Sequence, residues 1–205
     1  PEFRKDTLEA LRQPIEDGFV TITRASARST YPAQFMLVAA MNPCPCGNYG
    51  SRITPCRCTA QQIQRYRNRI SGPMLDRIDI HVEMGEVGYN DIAGRSCGEP
   101  SSAIRARVNA ARAIQTRRYA GMGILFNAQL TNRMMNQYCV LTSDAEALMK
   151  KAFATLKLSA RAYTRLLKVS RTIADLAGSE QIKAEHIAEA IQYRSLESKY
   201  WGEIK

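Results

Sequence analysis

Four cysteines form two close pairs, Cys44-Pro-Cys46-Gly and Cys56-Arg-Cys58, in a C-x-C-x9-C-x-C pattern with no histidine nearby. Four thiolates are the ligand set of a closed structural zinc site, tetrahedral and without a bound water. A single intervening residue demands a tighter turn than the usual spacing, and Pro45 and Gly47 can supply it. The surrounding segment is short, polar and rich in Pro and Gly, so a metal would replace the hydrophobic core it lacks. A redox pair is the weaker reading, because it ordinarily uses C-x-x-C. The expectation is one structural zinc on Cys44, Cys46, Cys56 and Cys58. Cys97 and Cys139 are isolated and receive no role.

A second chemistry is written in the arginines. Residues 18–75 contain no Asp, Glu or Lys and seven Arg: Arg24, Arg28, Arg52, Arg57, Arg65, Arg67 and Arg69. Residues 100–143 also lack acids and carry Arg105, Arg107, Arg112, Arg117, Arg118 and Arg133. The net charge of +10 is therefore concentrated in two tracts, as expected where phosphates are gathered. The planar arginine fork suits phosphate oxygens. Charge alone does not separate nucleic acid from nucleotide.

The elements that must position these residues follow from composition and periodicity. In 205 residues, 45% hydrophobic and 23% charged, there is material for one sizeable core or two small ones, which excludes collagen, coiled coil and low complexity. The longest apolar run, FMLVAAM from Phe35 to Met41, falls far short of the roughly 18 residues of a membrane span. The opening PEFRKDTLEA lacks a signal-peptide pattern, so a cytoplasmic location with reduced or metal-bound cysteines is expected. Leu8, Leu11 and Ile15 predict a short helix interrupted near Pro14 and stopped at Gly18. Residues 19–23 read as a strand, with Ser26 to Thr30 as the polar turn of a hairpin. QFMLVAAMN predicts a strand buried on both faces of a parallel sheet and ending at Asn42-Pro43. A short helix is expected over 61–70, an alternating strand over 77–84 and a Gly-rich linker over 85–102. Thereafter the chain reads as helical: Ser101-Ser102 capping a helix to about Tyr119 with Ile104, Val108, Ala111 and Ile114 on one face, then helices from Ser143 to about Leu156, from Ser159 to about Ala177, and from Ala184 to Arg194. Arg165, Lys168 and Arg171 are expected on a solvated face.

The segments LEALRQPIEDGFVTITRA, FMLVAAMNPCPCG, SGPMLDRIDIHVE, SARAYTRLLKVSRTIADLAG and AEHIAEAIQYRSL together resemble the magnesium-chelatase-like AAA+ ATPases of bacteria, of the ComM competence-protein type. Five separated motifs in order, over nearly the whole chain, make the resemblance specific. It implies a partial α/β AAA+ core over 1–90 with a zinc insert at about 43–71, a linker at 91–102 and an all-helical lid over 103–205. It also implies that the chain begins partway through the ATPase module. No G-x-x-x-x-G-K-[ST] occurs, so this chain by itself is expected not to hydrolyse ATP. By resemblance, Asn42 is the sensor 1 residue beside the γ-phosphate, Arg77 the arginine finger reaching a neighbouring subunit's ATP, and Arg161 the sensor 2 arginine of the lid. ATP and Mg²⁺ are the implied cofactors, a ring of six the implied assembly, and DNA the implied partner. The hairpin then points into the ring's pore with Arg24 and Arg28 near its tip, and Arg52, Arg57, Arg65, Arg67 and Arg69 of the insert form a second nucleic-acid surface. The metal-chelatase subunit proper lacks the cysteine insert, which favours the DNA-handling branch. The alternatives are a chelatase-type ATPase driving metal insertion and a zinc-stabilised nucleic-acid-binding module with no motor role.

Overall fold

The computed structural model describes residues 1–87, 93 and 98–201. They fall into two units, one holding Pro1–Ile78 with the tail from Glu197, the other Asp79–Leu196. Most of the expected linker, and Cys97, lie outside the described residues.

The first unit opens with two short helices, α1 (Lys5–Ala10) and α2 (Arg12–Asp17). The break falls at Leu11, which places Pro14 in the first turn of α2, where its missing N–H costs no helical bond. Gly18 ends α2 in the left-handed conformation at φ 72°. It then closes the base of an antiparallel hairpin by accepting a bond from Ala33 N–H at 2.8 Å. The hairpin pairs β1 (Phe19–Arg24) with β2 (Ala27–Pro32), Phe19 opposite Pro32 and Arg24 opposite Ala27. Its turn is Ala25-Ser26 alone. The expected longer turn from Ser26 to Thr30 is mostly strand, because Ser29 and Thr30 oppose Ile22 and Thr21, with the two threonine hydroxyls 3.1 Å apart.

The expected parallel sheet is not present among the described residues, whose only sheet is this hairpin. The run 34–42 forms no strand, and Met36 and Val38 are 86% and 81% exposed. Residues 77–84 likewise lack strand pairing, with Met84 85% exposed. An apolar run states which segment would be buried in a sheet, whereas a strand exists only when a neighbouring strand takes its N–H and C=O groups. Neither segment has such a neighbour here.

After the cysteine loop come α3 (Ala60–Arg67) and α4 (Gly72–Leu75). Thr59 caps α3 in a reciprocal box with Gln62: the Thr59 hydroxyl accepts from Gln62 N–H and the Gln62 side chain accepts from Thr59 N–H. Ser71 caps α4 and donates its hydroxyl to Glu9 at 2.5 Å. That bond, with Arg12, holds the Glu9 carboxyl below its ordinary pKa and ties α4 to α1.

The second unit is helical: α5 (Ser101–Arg118), a 3₁₀ turn (Asn127–Gln129), α6 (Asn132–Tyr138), α7 (Ser143–Thr155), α8 (Ala160–Leu176) and α9 (Ala184–Trp201). Thr131, Thr142 and Ser159 cap α6, α7 and α8 through their hydroxyls, and Gly178 at φ 66° follows α8. The core joins Leu130, Met135, Met149, Leu166, Leu167, Ile182 and Ile187. Only the C-terminal half of α5 is buried, at Ala111 and Gln115. Ile104 and Val108 of its expected apolar face are 41% and 45% exposed, so the face is covered for only part of its length.

Candidate metal centre and arginine surface

The local fold brings the two cysteine pairs together. Gly47, at φ 81°, returns the first pair on itself, its N–H meeting the Cys44 carbonyl at 3.0 Å. Only glycine takes that φ without strain, so the C-P-C-G spacing and the turn are one feature. The Sγ atoms of Cys44 and Cys46 lie 3.4 Å apart, Cys44 and Cys56 3.7 Å, and Cys46 and Cys56 3.6 Å. All four sulfurs lie within 4.8 Å of one another, the one such cluster among the described residues. Sulfurs about 2.3 Å from a central zinc would stand about 3.8 Å apart at tetrahedral corners, so the cage matches the metal.

The electrostatics fit as well. N–H groups of Asn48 and Arg57, with the Cys44 thiol, lower the Cys46 pKa to about 6. Burial, followed by the neighbouring thiols, pushes Cys58 up to about 12. Such a cluster holds its protons unevenly until a cation draws all four sulfurs to thiolate. Cys139, by contrast, is buried and raised to about 11, which makes it an inert core thiol.

Arg67 holds the loop from behind. It is 2% exposed, its Nε donates to the Pro43 carbonyl at 3.2 Å, and its guanidinium lies 4.7 Å from the Tyr49 ring centroid. It thus fixes both flanks of the first cysteine pair to the helix that follows the second pair. This corrects the expectation that Arg67 meets nucleic acid: on α3 it shares the buried face with Ile63, four residues before it, and with the adjacent Tyr66. Arg52, Arg57, Arg65 and Arg69 are exposed. Arg24 and Arg28 are also exposed near the hairpin tip, but on opposite faces, since Arg24 opposes Ala27 and Arg28 opposes Thr23.

Asn42 is exposed, beside the cysteine loop rather than at the tip of a strand. Arg77 is 9% exposed, donates to the Pro73 carbonyl at 2.6 Å and forms an ion pair with Glu16. Arg161 lies exposed in the first turn of α8, in the second unit.

Sequence reasoning missed a buried polar network in the second unit. Asp175 is 2% exposed and accepts two bonds from Arg118, at 2.9 and 2.5 Å, one from Arg171 at 3.1 Å and one from Asn127 at 2.9 Å. Tyr119 completes it, donating to Asn127 at 2.6 Å. Burial pushes the Asp175 carboxyl up, but the bonds from Arg118 and Asn127 and the nearby guanidinium charges outweigh it, leaving the pKa lowered. Arg171 also donates to the carbonyls of Ser179 and Glu180 and is 1% exposed, so it is not on a solvated face. Lys168 is bonded to the Ala128 carbonyl, and Arg165 pairs with Asp79 at 2.6 Å. A signal was present: Asp175 is the sole acid between Glu146 and Glu180, one helical turn after Arg171.

No helix among the described residues is long and apolar enough to cross a membrane. Comparison with known proteins gives two adjoining family matches, magnesium chelatase subunit ChlI over residues 1–92 and the ChlI C-terminal region over 98–194. The chain is 45% identical over 197 residues to the competence protein ComM of Haemophilus influenzae, and 43% identical over 198 residues to the uncharacterized protein YifB of Salmonella typhimurium. An uncharacterized protein of Mycobacterium tuberculosis is 34% identical over 193 residues. These alignments cover 94–96% of this chain but 38% of each relative, so the chain spans well under half the length of the proteins it matches.

Proposed function

The chain belongs to the magnesium chelatase subunit ChlI family of AAA+ ATPases, and on that footing we propose that it is part of an ATP-driven ring motor acting on DNA. The observation that carries the reading is the 45% identity, over 96% of the chain, to a competence protein, competence being the capacity to take up DNA. The acid-free arginine tract of residues 18–75 supports it chemically, because cations without neighbouring carboxylates suit a polyphosphate backbone.

In this reading Asn42 orients the water that attacks the γ-phosphate of ATP. Arg77, released from Glu16, supplies charge to a neighbouring subunit's transition state, an effect of about 10³ to 10⁵ in rate where such fingers act. Arg161 couples the helical unit to the nucleotide phosphates. The hairpin presents Arg24 and Arg28 to the DNA backbone from its two faces. Cys44, Cys46, Cys56 and Cys58 would hold zinc, which supplies a tetrahedral cross-link. Arg67 and the Thr59 cap then carry that order into α3.

The test is DNA binding by Arg24→Ala/Arg28→Ala beside the unaltered chain, on single-stranded and branched DNA across several salt concentrations. Two lost phosphate contacts should make the salt dependence shallower by about 1.4 to 1.8 logarithmic units. Unchanged affinity at every salt concentration would reject the hairpin's role.

A further inference from the structure

Helix α3 has two unlike faces. Ile63, Tyr66 and Arg67 point inward, while Gln61, Gln64, Arg65 and Asn68 form the outer stripe at positions i, i+3, i+4 and i+7. Arg69, just past the helix end, extends the stripe, and Lys5 of α1 faces it across an open groove of about 390 Å³. The six lining residues carry three cations and three amides and no carboxylate. Gln64 already aligns Asn68 through a 2.9 Å bond, and Arg69 is braced by the Pro1 carbonyl at 3.0 Å.

We propose that this groove, from Lys5 through Arg65 to Arg69, is a track for a nucleic-acid phosphate backbone running along the outer face of α3. The inference rests on the DNA reading above and assigns it a surface separate from the hairpin. Three features favour a nucleic acid over a small anion or an acidic protein segment. The groove is open along its length, which suits a passing chain better than an enclosed ligand. Its cations come from separate positions, Arg65 and Arg69 four residues apart and Lys5 on α1, which suits charges repeated along a backbone. Its amides can both donate to phosphate oxygens and bond sugar or base edges, which a purely cationic patch for carboxylates would not need. The buried side of the same helix is bonded to the cysteine loop through Arg67, so a metal that orders the loop also holds the track.

The test measures affinity for a branched duplex by fluorescence anisotropy at 50 to 200 mM salt. The chains compared are the unaltered one, Lys5→Gln/Arg65→Gln, Arg65→Lys and Gln61→Glu, each checked for zinc content and helical ellipticity. Removing two phosphate contacts should flatten the salt slope by about 1.8 and weaken binding about 60-fold at 0.1 M salt. Arg65→Lys should keep the slope. Gln61→Glu, a carboxylate placed in the groove at an exposed first-turn position, should weaken binding with the fold intact, and it serves if the double variant misfolds. Unchanged slope and affinity in Lys5→Gln/Arg65→Gln and Gln61→Glu, while Arg24→Ala/Arg28→Ala still weakens binding, would overturn the track and leave the DNA reading standing. Failure of the unaltered chain to bind any DNA would overturn both. Binding of polyglutamate in place of DNA would assign the groove to an acidic protein partner and also overturn the track.

Discussion

Replacing Cys44 by serine should unfold the loop of residues 43–71 while sparing the helical unit. Cys44 is fully buried, and its sulfur stands 3.4 and 3.7 Å from those of Cys46 and Cys56, so its loss opens the tetrahedron from inside. The alternative support is slight. Apart from Cys44 itself, the buried apolar side chains among the described residues of the first unit are Ile63, Tyr66, Met74 and Leu75. The three aliphatic ones contribute about 1.5–3 kcal/mol each, roughly 5–9 kcal/mol together. A structural zinc contributes roughly 10–16 kcal/mol near neutral pH, so the metal outweighs the local core. The assay is zinc content with hydrogen exchange across α3 and α8. Purified protein should carry about one zinc per chain. Cys44→Ser, or chelation of the unaltered chain, should abolish protection in α3 and leave Leu166 and Ala174 in α8 protected. Well under one zinc per chain, with four freely reactive thiols and α3 still protected, would refute the reasoning.

In metal-free protein, Cys46 should alkylate first, its rate rising through pH 6 because its thiolate persists well below the ordinary 9.0, whereas Cys58, pushed up to about 12, should lag; mass spectrometry of iodoacetamide adducts reads this, and zinc should protect both. Arg77→Ala should lower the stability of the first unit by about 1–3 kcal/mol in urea titration, because it strips the largely buried guanidinium from Glu16 and the Pro73 carbonyl. Asp175→Asn should cost the helical unit about 3–5 kcal/mol by leaving the charges of Arg118 and Arg171 without their carboxylate, measured as a shift in thermal midpoint. Since the folded pKa of Asp175 is lowered, its contribution is present above the ordinary 3.8 and lost as pH falls below it, so the stability gap between the unaltered unit and the variant should hold steady above about pH 4 and narrow as pH falls further.

The clustering of the four cysteines was legible, because the C-x-C pairs, Pro45 and Gly47 encode thiol chemistry and turn geometry within one short segment. Helices with a hydroxyl cap or a glycine stop were also legible: Ser159 and Gly178 bracket α8 as read. The sheet was not. Gln34 to Asn42 has the composition of a buried strand, but pairing is a property of a neighbour, and no local pattern supplies one. Side-chain fate on a helix was legible only by period. Arg67 looks like its exposed neighbours Arg65 and Arg69 until its spacing from Ile63 and Tyr66 turns it inward, and Arg171 is drawn inward by Asp175 in the same way.

The most direct test of the account is the salt dependence of DNA binding by the zinc-loaded chain. Arg24, Arg28, Arg52, Arg57, Arg65 and Arg69 are the exposed arginines of the acid-free tract. Six phosphate contacts would give a logarithmic slope of about −5 on duplex DNA, a loss of about 10³ in affinity between 50 and 200 mM salt. That slope, falling when zinc is chelated and returning when it is restored, is the predicted result. No binding at 50 mM salt, or an affinity indifferent to salt, would contradict the account.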